Sequence, residues 1–203
     1  MKMPDPDADV IARREDILTA MRSIVPGEGV IADATGMAVY ESDGLTAYRQ
    51  LPLIVVLPET VEQVSAVMAY CNDHAVKIVP RGAGTSLSGG ALPAADAITL
   101  GLGKFNRVLE VDYENRCARV QPGVTNLGIT HAVEAEGFYY APDPSSQIAC
   151  TIGGNVAENS GGVHSLKYGL TTNNILGIEM VLPDGEILRL GGKHMDAEGY
   201  DLL

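Results

Sequence analysis

The stretch "PRGAGTSLSGG", Pro80 to Gly90, sets four glycines and small hydroxyl side chains behind one arginine, directly after the strand-like run "VKIVP". A loop of that composition at a strand end can turn successive bare N–H groups toward an anion, which is the chemistry of phosphate binding. A second segment, "TIGGNVAENSGG" from Thr151 to Gly162, again joins four glycines with Thr, Asn and Ser. It follows "APDPSS", whose prolines stiffen the approach. Each glycine lets backbone meet a ligand with no side chain between, at roughly 0.5–1 kcal/mol of extra folding entropy. The plainer reading of either segment alone is a tight surface turn. Two of them, about 70 residues apart, point to two walls of one cleft closing on an extended, doubly phosphorylated ligand.

The two familiar nucleotide fingerprints do not fit. A P-loop needs Gly-Lys and then Ser or Thr, and no lysine occurs between Lys77 and Lys104. A Rossmann turn needs glycine where Leu87 stands and an amphipathic helix after it.

The elements that must position these segments alternate. Residues Asp9 to Val25 carry Val10, Ile11, Ile17, Leu18, Met21 and Ile24 on one stripe and predict an amphipathic helix stopped at Pro26-Gly27. "LIVVL" between Pro52 and Pro58 predicts a buried strand. A helix is expected from Thr60 to His74, with Thr60 and Gln63 at capping-box spacing, followed by the strand "VKIV". "AITLGL", "RVLEVD" and "CARVQPG" predict a meander. A further helix is expected from Thr125 to Glu136, ended by Gly137, and a hairpin of "IEMVL" and "EILRL" turns at Pro183-Asp184-Gly185. The front half therefore reads as βαβ and the back half as antiparallel.

Composition narrows the function. The chain of 203 residues is 46% hydrophobic, enough for a sizeable core. No apolar run approaches the roughly 18 residues of a membrane span, and the N-terminus lacks a signal-peptide pattern, so a cytoplasmic protein is expected. With 14 Lys and Arg against 26 Asp and Glu, a net charge of −12 argues against nucleic acid as a partner. Residues 1–45 hold nine acids against four bases, read as a solvated face. Cys71, Cys117 and Cys150 are scattered and form no CxxC pair, which argues against a disulfide framework or zinc site, and no histidine spacing suggests a metal. Among four histidines, His164 is the candidate for chemistry, with a structural role as its plainer reading. His74, His131 and His194 fall at helix ends or in loops, and Lys167 reads as solvated.

"PRGAGTSLSGG", "QPGV", "PDPSSQIACTIGGNVAENSGGVHSLKYGLTTNNILGIEMVLPDGEI" and "GYDL", in that order, resemble the flavin-binding domain of the vanillyl-alcohol oxidase superfamily. More closely they resemble the flavin subunit of glycolate oxidase and the D-lactate and D-2-hydroxyglutarate dehydrogenases, over roughly Leu51 to the C-terminus. The resemblance implies an α+β, two-lobed FAD-binding domain: a small βαβ lobe packed on a larger, mainly antiparallel sheet with flanking helices. Residues 1–50 would be an N-terminal helix and irregular arm, and 51–203 the FAD-binding domain. Relatives continue past "GYDL" into another flavin-contacting segment and a substrate domain with a metal site and catalytic histidine, so the resemblance implies a domain cut short at its C-terminal end.

The same resemblance implies site residues. Arg81, Gly82, Ala83, Gly84, Thr85, Ser86 and Gly90 would wrap the FAD pyrophosphate, with Arg81 as the nearby cation. Pro142, Asp143 and Ser146 would lie along the flavin or its ribityl chain. Thr151, Gly154, Asn155, Asn159 and Gly161 would form the opposite wall, with Tyr168 and Gly169 close by and Val181 near the adenine. Relatives with covalent flavin often carry His where Thr85 stands, so Thr85 implies dissociable FAD. The implied activity is oxidation of a small 2-hydroxy acid, such as glycolate or D-lactate, by hydride transfer to flavin. Electrons would leave to partner electron-transfer subunits, through which any membrane association would be made. A non-catalytic flavin-binding module and a nucleotide-sugar reductase of the same superfamily are the alternatives.

Overall fold

The runs Ile54–Val56 and Ala97–Gly101 are buried throughout, the pattern of strands covered on both faces. They belong to the first of two units into which the chain divides in the computed structural model, which describes residues 3–193, 200 and 202–203. This unit comprises residues 1–104 and 181–186. Its sheet has four strands, β1 (Val30–Ile31), β2 (Ile54–Val56), β3 (Lys77–Arg81) and β4 (Ala97–Gly101), in the order β1-β2-β4-β3. β4 runs parallel to both β2 and β3, and β1 is antiparallel to β2. The expected meander is thus corrected: its first run is not beside its second in a hairpin series but inserts between β2 and β3. Parallel neighbours need a crossover of a dozen or more residues, usually a helix. Between β3 and β4 that crossover is the glycine-rich loop, residues 82–96, which holds no helix.

The N-terminal helix divides at Arg13 into α1 (Ala8–Ala12) and α2 (Arg14–Ile24). Arg13 donates to the carbonyl of His74 (3.1 Å), and Arg14 to those of Leu53 (3.2 Å) and Ala32 (2.6 Å). After the short α3 (Ala34–Met37), α4 (Val61–Asp73) begins in the expected capping box: Thr60 Oγ1 accepts from Gln63 N–H, and the Gln63 side chain accepts from Thr60 N–H. Ile17 and Met21 of α2 and Val67 and Cys71 of α4 close over Ile54, Val56, Ile98 and Leu100. The βαβ lobe, expected to be the small one, takes in the N-terminal arm and so holds more of the chain than the other unit.

The second unit, residues 105–180 and 187–203, opens with the antiparallel hairpin of β5 (Val108–Asp112) and β6 (Cys117–Val120). Asp112 accepts from the Asn115 backbone and side chain and so shapes the turn. α5 (Asn126–Val133) is capped by Thr125, and Gly137 closes the chain after it at φ +79°, where only glycine is unstrained. The expected helix through Glu136 is α-helical to Val133, and its last turn tightens to a 3₁₀ helix. α6 (Ile152–Glu158) and α7 (Ser165–Tyr168) follow, then β7 (Gly177–Val181) and β8 (Ile187–Gly191), paired through the Pro183-Asp184-Gly185 turn. The antiparallel half, expected as one larger sheet, consists among the described residues of these two two-stranded ribbons. His194, Gly199 and Asp201, the last two from "GYDL", lie outside the described residues.

Candidate functional site

In the first unit the loop after β3 is held from the N-terminal arm by two opposite charges. Arg81 is buried, and its Nη1 donates to the carbonyls of Ser42 (2.8 Å), Ala91 (3.0 Å) and Tyr40 (3.3 Å), with the guanidinium 5.6 Å from the centre of the Tyr40 ring. Burial pulls the Arg81 pKa down, and Tyr40 and Asp43 push against it. Asp43, also buried, accepts from the N–H groups of Leu45 and Gly89, each at 3.0 Å. Gly44 passes the loop so closely that a Cβ there would sit 2.7 Å from the Thr85 carbonyl oxygen, and its own N–H donates to the Ser86 carbonyl at 2.9 Å.

So fastened, the loop leaves its amides bare. The N–H groups of Gly82 through Ser88 donate to no acceptor among the described residues, and the buried Ser86 Oγ has no partner. Gly84 adopts φ +71°, the left-handed turn that lets consecutive N–H groups converge, and a Cβ there would overlap the Arg81 guanidinium. Gly82, Ala83, Gly84, Thr85 and Ser86 follow one another on this loop without a charged side chain, and Gly90 is exposed farther along it. Arg81, expected as a cation facing phosphate, donates through Nη1 to three backbone carbonyls and so shapes the loop. The arm's acids, expected as a solvated face, include the buried Asp43 that the loop requires. Val181 stands at the start of the 181–186 tip, where the Gly185 carbonyl accepts from Ser65 Oγ of α4 at 2.6 Å.

In the second unit, residues 122–126 and 150–153 are laced by an isolated Thr125–Thr151 bridge and by bonds from Asn126 N–H to Cys150, Ile152 N–H to Val124 and Gly153 N–H to Pro122. This fixes Thr151 and turns Asn155 inward from α6. Asn155 is 2% exposed and its Nδ2 has no partner among the described residues. Buried Asn126 donates from Nδ2 to the Pro142 carbonyl at 3.0 Å and so sets the Pro142-Asp143 segment, while its Oδ1 has no partner among the described residues. Orphaned buried polar atoms cost about 1–3 kcal/mol each.

Asp143 accepts from His164 N–H at 3.1 Å, and its other carboxylate oxygen lies 3.1 Å from His164 Nδ1. Tyr168 accepts from the Tyr139 hydroxyl at 2.9 Å, with Lys167 Nζ 4.8 Å from the centre of its ring. The Tyr139 bond, then Lys167, holds the Tyr168 phenol below its usual pKa. Asn159 occupies the left-handed cap of α6 at φ 50°, and its Oδ1 accepts from Thr172 N–H and Oγ1, which closes a loop. Gly161 lies against Leu170 and Ser165, and Gly169 turns at φ +78° against Asn173. Ser146 caps the next turn with its carbonyl, accepting from Ala149 and Cys150, and Gly154 faces only Thr151 within 4 Å. Sequence reasoning missed Asp43, Gly44 and Asn126. "Ser-Asp-Gly" at 42–44 reads as an ordinary turn, and only long-range pairing shows what it holds.

Known proteins share both sequence and fold with the chain. Residues 52–191 match the family described as FAD binding domain. The chain is 53% identical to glycolate oxidase subunit GlcD of Escherichia coli K12 over 98% of this chain and 39% of that one, and 46% identical to the Bacillus subtilis subunit over 82% and 36%. It is 33% identical to D-lactate dehydrogenase of Anaerostipes hadrus over 93% and 40%. The chain therefore spans about two fifths of the length of these curated relatives. Among solved structures, p-cresol methylhydroxylase with substrate bound superposes with a TM-score of 0.78 at 21% identity, over 99% of this chain and 39% of that one, which shows the shared fold.

Proposed function

We propose, from the premise that this chain belongs to the FAD binding domain family, that it is the flavin-holding part of an enzyme oxidising a small 2-hydroxy acid. The observation that carries the reading is the run of amides from Gly82 to Ser88 with no acceptor of their own among the described residues, beside the unpartnered Ser86 Oγ. A pyrophosphate supplies acceptors for such a row without a countercharge from lysine, which suits a chain of net charge −12. In the second unit, the unpartnered Asn155 Nδ2 fits a carbonyl or hydroxyl oxygen of a flavin cofactor, and Thr151, Pro142, Asp143, Ser146, Gly154, Gly161, Tyr168 and Gly169 are assigned to cofactor binding with it. Val181 is assigned to the adenine end and Asn159 to the fastening of the wall.

FAD, when bound, supplies the two-electron acceptor that takes hydride from the substrate's α-carbon. The chain's residues hold and orient: the cradle grips the diphosphate, and buried Asn126 keeps Pro142-Asp143 in place. Glycolate or D-lactate is the substrate class, because the relatives carry those names. The subunit names of the Escherichia coli and Bacillus subtilis relatives support partner chains that receive the electrons. We place the enzyme in the cytoplasm, with any membrane association made through such partners; among the described residues no helix is long and apolar enough to cross a membrane. Residues 1–50 are assigned as the arm that braces residues 51–203, the flavin-binding part.

Titrating the purified chain with FAD and following flavin fluorescence tests the reading. Saturable quenching is expected, and acid precipitation should leave the yellow colour in the supernatant because Thr85 offers no covalent anchor. Absence of quenching would refute the binding assignment, and colour in the pellet would refute the reading of Thr85. Turnover of glycolate or D-lactate by the full-length enzyme containing this sequence decides the substrate class.

A further inference from the structure

Two residues assigned to the flavin, Asp143 and Tyr168, are joined through one imidazole. Both carboxylate oxygens of Asp143 face residue 164: Oδ1 accepts from the backbone N–H at 3.1 Å, and Oδ2 lies 3.1 Å from the imidazole Nδ1. The Asp143 side chain is 14% exposed and the His164 side chain 52%, so the carboxylate backs the ring from the protein side. Two residues earlier the segments cross so tightly that a Cβ on Gly162 would occupy the place of the Asp143 carbonyl and carboxylate. The His164 carbonyl then accepts from the N–H groups of Lys167 and Tyr168, each at 3.0 Å, forming the single turn of α7. The imidazole stands edge-on to the Tyr168 ring, centroids 6.3 Å apart at 85°. The Tyr168 hydroxyl is held by Tyr139.

We propose that His164 is a positioning residue, a latch that fixes Asp143 and seats Tyr168 so that both meet the flavin in one set geometry. The proposal rests on the FAD reading above. A carboxylate facing Nδ1 requires a donor there, so the latch needs an N–H at that point and not an imidazole as such. Asparagine places an amide N–H close to the position of Nδ1; alanine places none.

The test compares the wild-type chain with His164→Ala and His164→Asn. FAD affinity is read by fluorescence quenching, flavin surroundings by visible circular dichroism, and loop order by amide hydrogen exchange without flavin. A partly exposed contact of this kind is a weak one, so His164→Ala should weaken FAD binding by up to about 5-fold, the equivalent of about 1 kcal/mol. It should also alter the flavin dichroism and speed exchange at residues 164 and 168, with the melting temperature nearly unchanged because the pair is partly exposed. His164→Asn should restore all three. Equal affinity and dichroism in all three proteins would overturn the latch, as would an Asn variant no better than the Ala variant or a loss of affinity matched by global unfolding. Should the wild-type chain take up no flavin, the FAD reading fails by itself. The exchange data then decide the latch: acceleration in Ala with recovery in Asn supports it, and unchanged rates overturn it.

Discussion

Replacing Arg81 with methionine, which keeps the length and removes the charge, separates two roles that an arginine beside a phosphate cradle can have. In the structure Nη1 donates to Ser42 and Ala91 at 2.8 and 3.0 Å and, more weakly, to Tyr40 at 3.3 Å. Hydrogen bonds from charged groups are worth about 1.5–3 kcal/mol each, so losing the two short ones gives about 3–6 kcal/mol. The released desolvation of the guanidinium offsets part of that, leaving roughly 3 kcal/mol. For a chain of this size each kcal/mol shifts the melting temperature by about 2–4 °C, so Arg81→Met should melt roughly 6–12 °C lower in thermal circular dichroism without FAD. FAD affinity should fall as well, since Arg81 ties the loop to the arm through the Ser42 and Tyr40 carbonyls. The reasoning is refuted if the flavin-free protein melts at the wild-type temperature while FAD affinity collapses. That result would mean the guanidinium serves the pyrophosphate and not the carbonyls.

Acid and thiol chemistry give two further checks. Burial pushes the Asp96 carboxyl upward, but the Lys77 ammonium at 2.6 Å and the Asp7 N–H at 3.0 Å outweigh it, and the folded pKa is lowered. Its stabilisation is therefore complete above the unfolded carboxylate value of about 3.9 and is lost as pH falls through the lower folded value. Asp96→Asn should be less stable at pH 7 and lose less stability than wild type on titration from pH 5 to pH 2; identical slopes would count against the pairing. Burial also drives the Cys71 thiol up to about 12, so at pH 8 a disulfide reagent should release no thiol from it until the chain unfolds. A slower or smaller native burst in Cys71→Ser than in wild type would contradict this.

Much of the local structure was legible in the sequence because its causes are local. Thr60 and Gln63 are three residues apart, and their capping box depends on nothing else. Gly137 and the Pro183-Asp184-Gly185 turn are likewise decided by backbone conformations that few residues adopt. The glycine-rich loops were legible as sites for the same reason: bare backbone is written in composition. What the sequence hid was long-range. "AITLGL" has the same pattern whether it pairs with the strand before it or inserts between β2 and β3, and nothing near Asp43 shows that Gly89, 46 residues away, will donate to it. Arg81 looked like a phosphate ligand because its neighbours are glycines; its actual acceptors lie 39 and 41 residues upstream and 10 residues downstream.

The insertion of β4 between β2 and β3 also bears on how the chain can assemble during synthesis. β2 and β3 share no ladder, and each must wait for residues 97–101 before it has a partner in the parallel sheet. A nascent chain ending near residue 90 can thus wind α4 but cannot close the sheet, and pairings such as Ile54 with Ile98 are distant ones that form slowly. The glycine loop is the last tether threaded before closure. Shortening it would do more than remove amides from a cradle: it would bar β4 from its slot and leave β2 and β3 as exposed edges during the interval when a growing chain is most prone to aggregate.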